Sequence, residues 1–160
     1  MRAWDGRGPA TALRQAVFES MGVKDELELI RFLRQNSHQN QILDLVPVLF
    51  DVAYEGDPVA ESLLTFLGTE VGVTAGTLIR RLALEDEEVP VILSTSVFRG
   101  KGPLLINVIT DTIHRIAPKA HIAMPDFIPV VGAALEALAA RGLPFHPGML
   151  SNLRDELIAN

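Results

Sequence analysis

Cysteine is absent from this 160-residue chain, so disulfide bonds and thiolate metal sites are excluded. Aromatic residues make up only 6% of the chain, and a core must therefore be built mainly from leucine, valine, isoleucine and alanine. The four histidines are spread along the sequence, and no two stand at the spacing of a metal-ligand pair. This argues against a metal ion held mainly by protein side chains.

Positive charge is also scarce, since 14 lysines and arginines face 20 acidic residues and the net charge is -6. Nucleic acids and anionic membranes are bound through clustered Lys and Arg, so neither is expected as a main partner. The N-terminus lacks the apolar stretch of a signal peptide, and no apolar run reaches the roughly 18 residues of a membrane span. We therefore expect a soluble, cytoplasmic protein.

Hydrophobic residues form 48% of the chain and charged residues 21%, which is typical of one globular domain at this length. Helical spacing dominates the first half and predicts four helices, over residues 9–21, 25–34, 41–54 and 58–84. Gly22 is expected to end the first helix and Asp25 to cap the second. Residues 35–40 are predicted to form a polar hinge.

Two features of these helices need a structural explanation. Pro47 lies inside the third helix, which predicts either a kink there or an earlier helix start. In the fourth helix a glycine recurs every fourth residue, at Gly68, Gly72 and Gly76, although each glycine costs a helix about 1 kcal/mol relative to alanine. The favoured explanation is close packing of another helix, and the alternative is a flat ligand, such as an adenine ring, lying nearby.

The second half is organised around residues 89–103. An aliphatic strand over residues 89–94 is bounded like a buried strand and leads into Ser94, Thr95 and Ser96. A Gly-Lys-Gly loop follows, and Pro103 then opens an apolar helix that continues to about residue 116. A strand, a small-residue turn and a helix form the unit with which α/β proteins hold a ligand at the carboxyl end of a strand.

A second short strand is predicted at 120–124, with helices at 130–140 and 149–159. Alternation of strands and helices implies a parallel pair of strands. The prediction is a predominantly helical α/β protein forming a single domain over residues 1–160. Residues 1–86 are its helical part, 87–143 its βαβα part and 144–160 its C-terminal helix. A two-stranded sheet has open edges, so we expect a homodimer or another partner.

Few side chains form a pattern that suggests catalysis. Lys101 lies between two glycines, where it either contacts a phosphate group or belongs to a flexible surface loop, and the second interpretation is favoured. Arg99 is open to the same two interpretations. The spacing of a P-loop is absent around Lys101.

Other charged residues are better explained by structure than by catalysis. Asp5 and Arg7 predict an ion pair or a helix cap. Asp111 and His114 are one helical turn apart, which favours a solvated pair over an acid–base dyad. Asp126 follows the second strand, and one carboxylate does not make a site.

Four segments, in this order and spacing, resemble a known family. They are residues 5–9 (Asp-Gly-Arg-Gly-Pro) with Thr11 and Leu13, residues 54–60 (Tyr-Glu-Gly-Asp-Pro-Val-Ala), residues 91–98 (Val-Ile-Leu-Ser-Thr-Ser-Val-Phe) and residues 129–134 (Pro-Val-Val-Gly-Ala-Ala). Together they resemble the C-terminal half of the BadF/BadG/BcrA/BcrD ATPase family. That family includes N-acetylglucosamine kinases and belongs to the actin-like ATPase superfamily. The resemblance covers about residues 2–143.

The resemblance implies a partial RNase H-like domain and a site for ATP or ADP with Mg²⁺. It assigns the adenosine motif to residues 91–98 and implies nucleotide contacts for Ser94, Thr95, Ser96, Val97 and Lys101. It also implies that Gly132 lies on a small-residue helix at an interdomain hinge. No catalytic residue and no protein metal ligand is assigned to this chain.

The sequence departs from the family in two ways. Thr95 and Ser96 stand where the family has two adjacent glycines, and a backbone with positive φ, if it were needed there, would be costly for threonine. The phosphate-binding and sugar-binding half of the family is missing. One hypothesis is a nucleotide-binding half completed by an N-terminal-half polypeptide, and the other is a non-catalytic module that keeps only the scaffold.

Overall fold

The computed structural model describes residues 2–34, 43–125, 127 and 129–143. The chain divides into two compact units, one formed by residues 1–89 with 95–121 and the other by residues 90–94 with 122–160. The single-domain assignment stays a prediction. The predicted hinge at 35–40, Asp126 and the predicted helix at 149–159 lie outside the described residues.

The first unit is built from helices. They are α1 (Leu13–Met21), α2 (Glu26–Arg34), α3 (Leu45–Tyr54), α4 (Pro58–Arg81), a short 3-10 helix (Ser96–Arg99) and α5 (Leu104–His114). Their ends follow ordinary capping chemistry. Gly22 ends α1 in the left-handed conformation at φ 64°, and Asp25 accepts a 2.8 Å hydrogen bond from the Glu28 amide at the start of α2. Both caps confirm the predictions.

Two helix starts differ from the prediction. Residues 9–12 are not part of α1, because the Ala12 amide and the Thr11 hydroxyl bind Asp57, at the start of α4, instead. Helix α3 begins at Leu45 rather than at residue 41, which places Pro47 in its first turn. The first amides of a helix have no partner within the helix, so a proline there removes no hydrogen bond and requires no kink.

Helices α4 and α5 pack closely along the glycines of α4. A Cβ atom on Gly68, Gly72 or Gly76 would lie within 3.0 Å of a side-chain atom of Val108, Thr112 or Ile116, respectively. Because both sets of partners advance by four residues in the same direction, the two helices run parallel. The prediction that these glycines serve helix packing is confirmed, and each has a side chain of α5, or of the residues just after it, against its backbone.

The core of the first unit lies along this contact. Its largest fully buried side chains are those of Leu64, Leu105, Ile109 and Ile113. A smaller cluster lies near the N-terminus. It consists of Phe18 from α1, Val23 from the turn that follows and Leu29 from α2. Burial of such aliphatic side chains is the main force that stabilises both clusters.

Among the described residues, α4 is the one helix long and apolar enough to cross a membrane by length and composition. The core helix of a globular protein meets the same criterion. Its glycine-lined contact with α5 accounts for its apolar composition on one side, whereas Leu63, Phe66, Val73 and Leu78 on the same helix are substantially exposed.

The remaining elements are a two-stranded parallel sheet and a helix, which belong to the second unit except for His121. Strand β1 spans Pro90–Ile92, β2 spans His121–Ala123, and α6 spans Pro129–Ala140. The Leu93 amide donates a 3.0 Å hydrogen bond to the Ala123 carbonyl. The class, a mostly helical α/β protein with a small parallel sheet, is confirmed. The expected burial of β1 is wrong, because Pro90 is exposed and the side chain of Ile92 is 53% exposed.

Candidate functional site

A cavity of about 440 Å³ in the first unit brings together most of the predicted site residues. Thr95, Ser96, Val97 and Lys101 all line it. Ser94 does not line it and belongs to the second unit. We call this cavity the turn cavity, because the turn that follows β1 in the sequence forms one of its walls. Its volume lies within the range of roughly 300–1,000 Å³ typical of small-molecule sites.

The opposite wall of the turn cavity is apolar and comes from α3 and the residue two positions before it. Leu43, Val46, Pro47 and Phe50 line this wall, and Phe50 is only 2% exposed. The sequence predicted a helix over residues 41–54 and gave no sign of a ligand there. Only the long-range contact between α3 and the turn makes them part of a cavity.

The Gly-Lys-Gly loop is seated directly on α3. A Cβ atom on Gly100 would lie 2.4 Å from ring atoms of Phe50, and one on Gly102 would lie 3.0 Å from the Tyr54 ring. Gly102 also has φ 82°, a conformation that side chains other than glycine rarely adopt. The two glycines therefore allow the loop to approach two aromatic rings closely.

Lys101 lies between these two glycines in the sequence, and its side chain makes two contacts with α3. Its Nζ atom lies 3.3 Å from Asp51 Oδ1 and 4.6 Å from the centroid of the Tyr54 ring. Such exposed ion pairs and cation–π contacts each contribute about 0.2–1 kcal/mol. Lys101 remains half exposed, so both interpretations of this residue, a phosphate contact and a surface loop, stay predictions.

The backbone of the turn is free of strain. Thr95 has φ -109° and ψ 158°, an extended conformation that any residue adopts. Among the described residues only Ala83 combines a side chain with positive φ. Although the family has a glycine at this position, Thr95 does not need a positive φ. The Thr95 and Ser96 side chains therefore line the cavity at no conformational cost.

The other candidates from the sequence do not form a catalytic group. Asp5 and Arg7 form an ion pair, and the hydrogen bond from the Arg7 side chain lowers the pKa of Asp5. His114 Nε2 lies 2.8 Å from the carbonyl oxygen of Ala120, so its ring helps fix the chain before β2. No cluster of three or more histidine or acidic side chains that could hold a metal ion occurs within the described ranges.

No protein-family model matches the sequence, and no curated protein is significantly similar to it.

Proposed function

We propose that this chain is the nucleotide-binding half of a BadF/BadG-type ATPase or N-acetylglucosamine kinase-like sugar kinase, with a partial RNase H-like domain, and that another polypeptide completes it. One observation carries the proposal. Thr95, Ser96, Val97 and Lys101, which the resemblance assigns to the adenosine site, share a single cavity with an apolar wall.

The chemistry of the turn cavity suits ADP or ATP. The apolar wall of Val46, Pro47 and Phe50 offers a surface for a purine ring. The hydroxyl groups of Thr95 and Ser96 can exchange hydrogen bonds with a ribose. Arg99 and Lys101 also line the cavity and would attract the phosphate groups, as cationic side chains do in nucleotide sites.

Phosphoryl transfer would need more than this cavity supplies. Such reactions depend on positioned Mg²⁺ ions and a carboxylate that orients the attacking group. Asp51 is the one carboxylate among the residues that line the turn cavity, and it already faces Lys101. We therefore assign nucleotide binding to this chain, and assign Mg²⁺ coordination and the sugar or partner site to the polypeptide that completes it.

Exposed apolar side chains support the need for a partner. Ile92 in β1 and Phe66 in α4 are each more than half exposed. Strand β1 also belongs to a sheet of two strands, and proteins normally cover or pair the open edges of a sheet. A second copy or a complementary N-terminal-half polypeptide would cover them, and a chain that stays monomeric at high concentration in light scattering would count against the homodimer.

A non-catalytic scaffold module is the second candidate. Thr95 and Ser96 have side chains that occupy space where the family has glycines. The charge of Lys101 is already paired with Asp51. Both features would weaken nucleotide binding. In this case the chain would bind its partner without binding ATP or ADP.

Calorimetric titration of the folded chain with Mg-ADP and Mg-ATP separates the two functions. We expect saturable binding that Ser96→Phe abolishes, because the larger side chain would fill the turn cavity. Ser94→Phe is the matched control, since Ser94 is exposed and does not line the cavity. Absence of heat at millimolar nucleotide, from a sample with native circular dichroism, would favour the scaffold module.

A further inference from the structure

A larger cavity, of about 800 Å³, lies in the first unit and shares no lining residue with the turn cavity. We call it the N-terminal cavity. Eleven residues between positions 2 and 18, two residues of α2 and the start of α4 form its walls. Neither the sequence patterns nor the proposed nucleotide site gives it a role.

Most of its surface is apolar. Val17, Phe18 and Leu29 contribute from α1 and α2, and Leu63 contributes from α4. Trp4 lies at the wall and remains 50% exposed, although it is the single tryptophan of the chain. A half-exposed tryptophan beside buried aliphatic side chains provides a flat apolar surface that a ligand can cover.

The charged groups in this wall are mostly positive. Arg2, Arg7 and Arg14 line the cavity and Glu26 is the one acidic residue among its lining residues, in a chain whose net charge is -6. Glu26 pairs with Arg14, and Asp5 pairs with Arg7 beside this wall, so the excess is one positive charge, that of Arg2. An unpaired positive charge in a cleft attracts anionic ligands.

Two of the three arginines already have partners. Arg7 pairs with Asp5 at 2.5 Å, and Arg14 binds the largely buried Glu26 carboxylate at 2.5 Å while its guanidinium lies over the Phe18 ring. Arg2 forms no ion pair with any residue that the structure describes, although its charge contributes to the lowered pKa of Asp5. Arg2 is thus the cation with capacity to bind an anion.

Hydrogen bonds attach the N-terminal segment that carries these arginines to the start of α4. Asp57 accepts hydrogen bonds from the Thr11 hydroxyl at 2.9 Å and from the Ala12 amide at 2.7 Å. The Arg7 amide donates to the Arg2 carbonyl at 2.9 Å and closes the turn before it. The cavity is therefore formed before a ligand arrives, which reduces the entropy lost on binding.

We propose that the N-terminal cavity binds an organic anion with an apolar body, its carboxylate facing Arg2 and its hydrocarbon part lying against Trp4 and Phe18. Arg2 selects the anion, and the apolar wall favours a ligand with a hydrocarbon part over a purely hydrophilic one such as inorganic phosphate. This site is independent of the proposed nucleotide site.

Trp4 fluorescence tests the proposal directly, because no other tryptophan contributes to the emission. Titration of the chain with decanoate should produce a saturable change in Trp4 emission, with one site per chain by calorimetry. Decanol has the same hydrocarbon body without the charge and should bind at least tenfold more weakly. Inorganic phosphate should cause no saturable change.

Two substitutions locate the site. Arg2→Ala should raise the dissociation constant for decanoate at least tenfold, because it removes a charge-assisted hydrogen bond. Arg115→Ala, at the exposed end of α5, should leave the dissociation constant unchanged. Leu63→Glu puts a carboxylate on the wall and should weaken decanoate binding more than tenfold. Leu78→Glu, on the same helix and similarly exposed, should leave binding unchanged.

Several results would overturn the proposal. They are a Trp4 emission that changes only linearly with decanoate, equal binding of decanol and decanoate, and unchanged affinity in both Arg2→Ala and Leu63→Glu. All of these can be measured without nucleotide, so they are distinct from a failure of nucleotide binding.

Discussion

Gly72 and Thr112 lie so close together that a Cβ atom on Gly72 would come 2.6 Å from the Thr112 Cβ. No pair of real side chains approaches at this distance, so the glycine determines how near α4 and α5 can lie. A Cβ atom on Gly68, one turn before, would likewise lie 2.9 Å from the Val108 Cβ. At Gly76, one turn after, the near atom is Ile116 Cδ1, at 2.6 Å, and the Ile116 Cβ would lie 3.6 Å away. The parallel packing of these helices thus depends on residues that are poor helix formers.

Gly72→Ala should therefore destabilise the protein. Alanine gains about 1 kcal/mol in helix propensity over glycine, but overpacking a core costs about 1–3 kcal/mol, and the clash involves the Cβ of Thr112 rather than a flexible side-chain end. The free energy of unfolding from urea denaturation measures the balance.

Gly132→Ala is the matched control for this substitution. Gly132 lies within α6, and a Cβ atom there would meet nothing within 4 Å. Only the propensity gain remains, and we expect Gly132→Ala to be stabilising by about 0.5–1 kcal/mol. A stabilising Gly72→Ala would show that α4 and α5 separate at little cost, contrary to the packing described.

Gly100→Ala should loosen the loop from α3. The backbone of Gly100, at φ -64° and ψ 163°, is accessible to alanine, so the effect comes only from the contact of the new methyl group with the Phe50 ring. We expect a loss of about 1–3 kcal/mol in the free energy of unfolding.

A double-mutant cycle with Phe50→Leu checks the origin of this loss. Because the smaller side chain makes room for the methyl group, the double variant should be more stable than the sum of the single changes predicts. Strict additivity would indicate that the loop does not lie against Phe50 in solution.

Asp57 should make stability depend on acid pH. Burial raises the pKa of Asp57, but the hydrogen bonds from the Ala60 and Ala12 amides, the Thr11 hydroxyl and the Val59 amide together leave the pKa below its usual value. A carboxyl with a pKa lower in the folded state stabilises the protein above its unfolded pKa, about 3.9. This stability is lost as the pH falls through the folded-state value.

Asp57→Asn isolates this contribution, because asparagine can cap α4 but cannot titrate. The stability difference between the native protein and the variant should be positive at pH 7 and should shrink below about pH 4. Thermal unfolding at pH 7 and pH 3 measures it. Asp25 caps α2 and accepts one local hydrogen bond, so Asp25→Asn should lower the free energy of unfolding at pH 7 by less than Asp57→Asn does. An equal loss would contradict the role given to the long-range hydrogen bonds of Asp57.

The hydroxyl groups of the turn cavity should contribute to nucleotide affinity. Thr95→Val and Ser96→Ala each remove one hydroxyl, and a neutral hydrogen bond is worth about 0.5–1.5 kcal/mol, so Mg-ADP should bind about threefold to tenfold more weakly. Ser94→Ala, which lies outside the cavity, should bind like the native chain. Unchanged affinity in both turn variants would remove these hydroxyls from the proposed site.

Local signals in the sequence were sufficient to predict most of the elements. The Gly-Asp-Pro boundary at 56–58 gives the start of α4 at Pro58, because its three residues suit the end of one helix and the beginning of the next. The glycines at every fourth position predicted a close helix contact, and the alternation of strands and helices predicted the parallel pair.

Long-range contacts could not be predicted from the sequence. Nothing near Asp57 indicates that its carboxylate also binds Thr11 and Ala12, so the predicted start of α1 was too early. The turn at Thr95 was predicted to bind a ligand, but the apolar wall that faces it includes Phe50, which precedes Thr95 by 45 residues in the sequence. Such contacts depend on the arrangement of whole helices rather than on local propensity.

The bonds accepted by Asp57 also have a kinetic consequence. They join residues 45 and 46 positions apart, and α1 has no side-chain cap of its own at Ala12. The entropy of closing so long a loop must be lost before the contact can form, and α4 must already have its first turn. The N-terminal segment should therefore attach after the folding barrier has been crossed, so that loss of the Thr11 hydroxyl accelerates unfolding and leaves the refolding rate nearly unchanged.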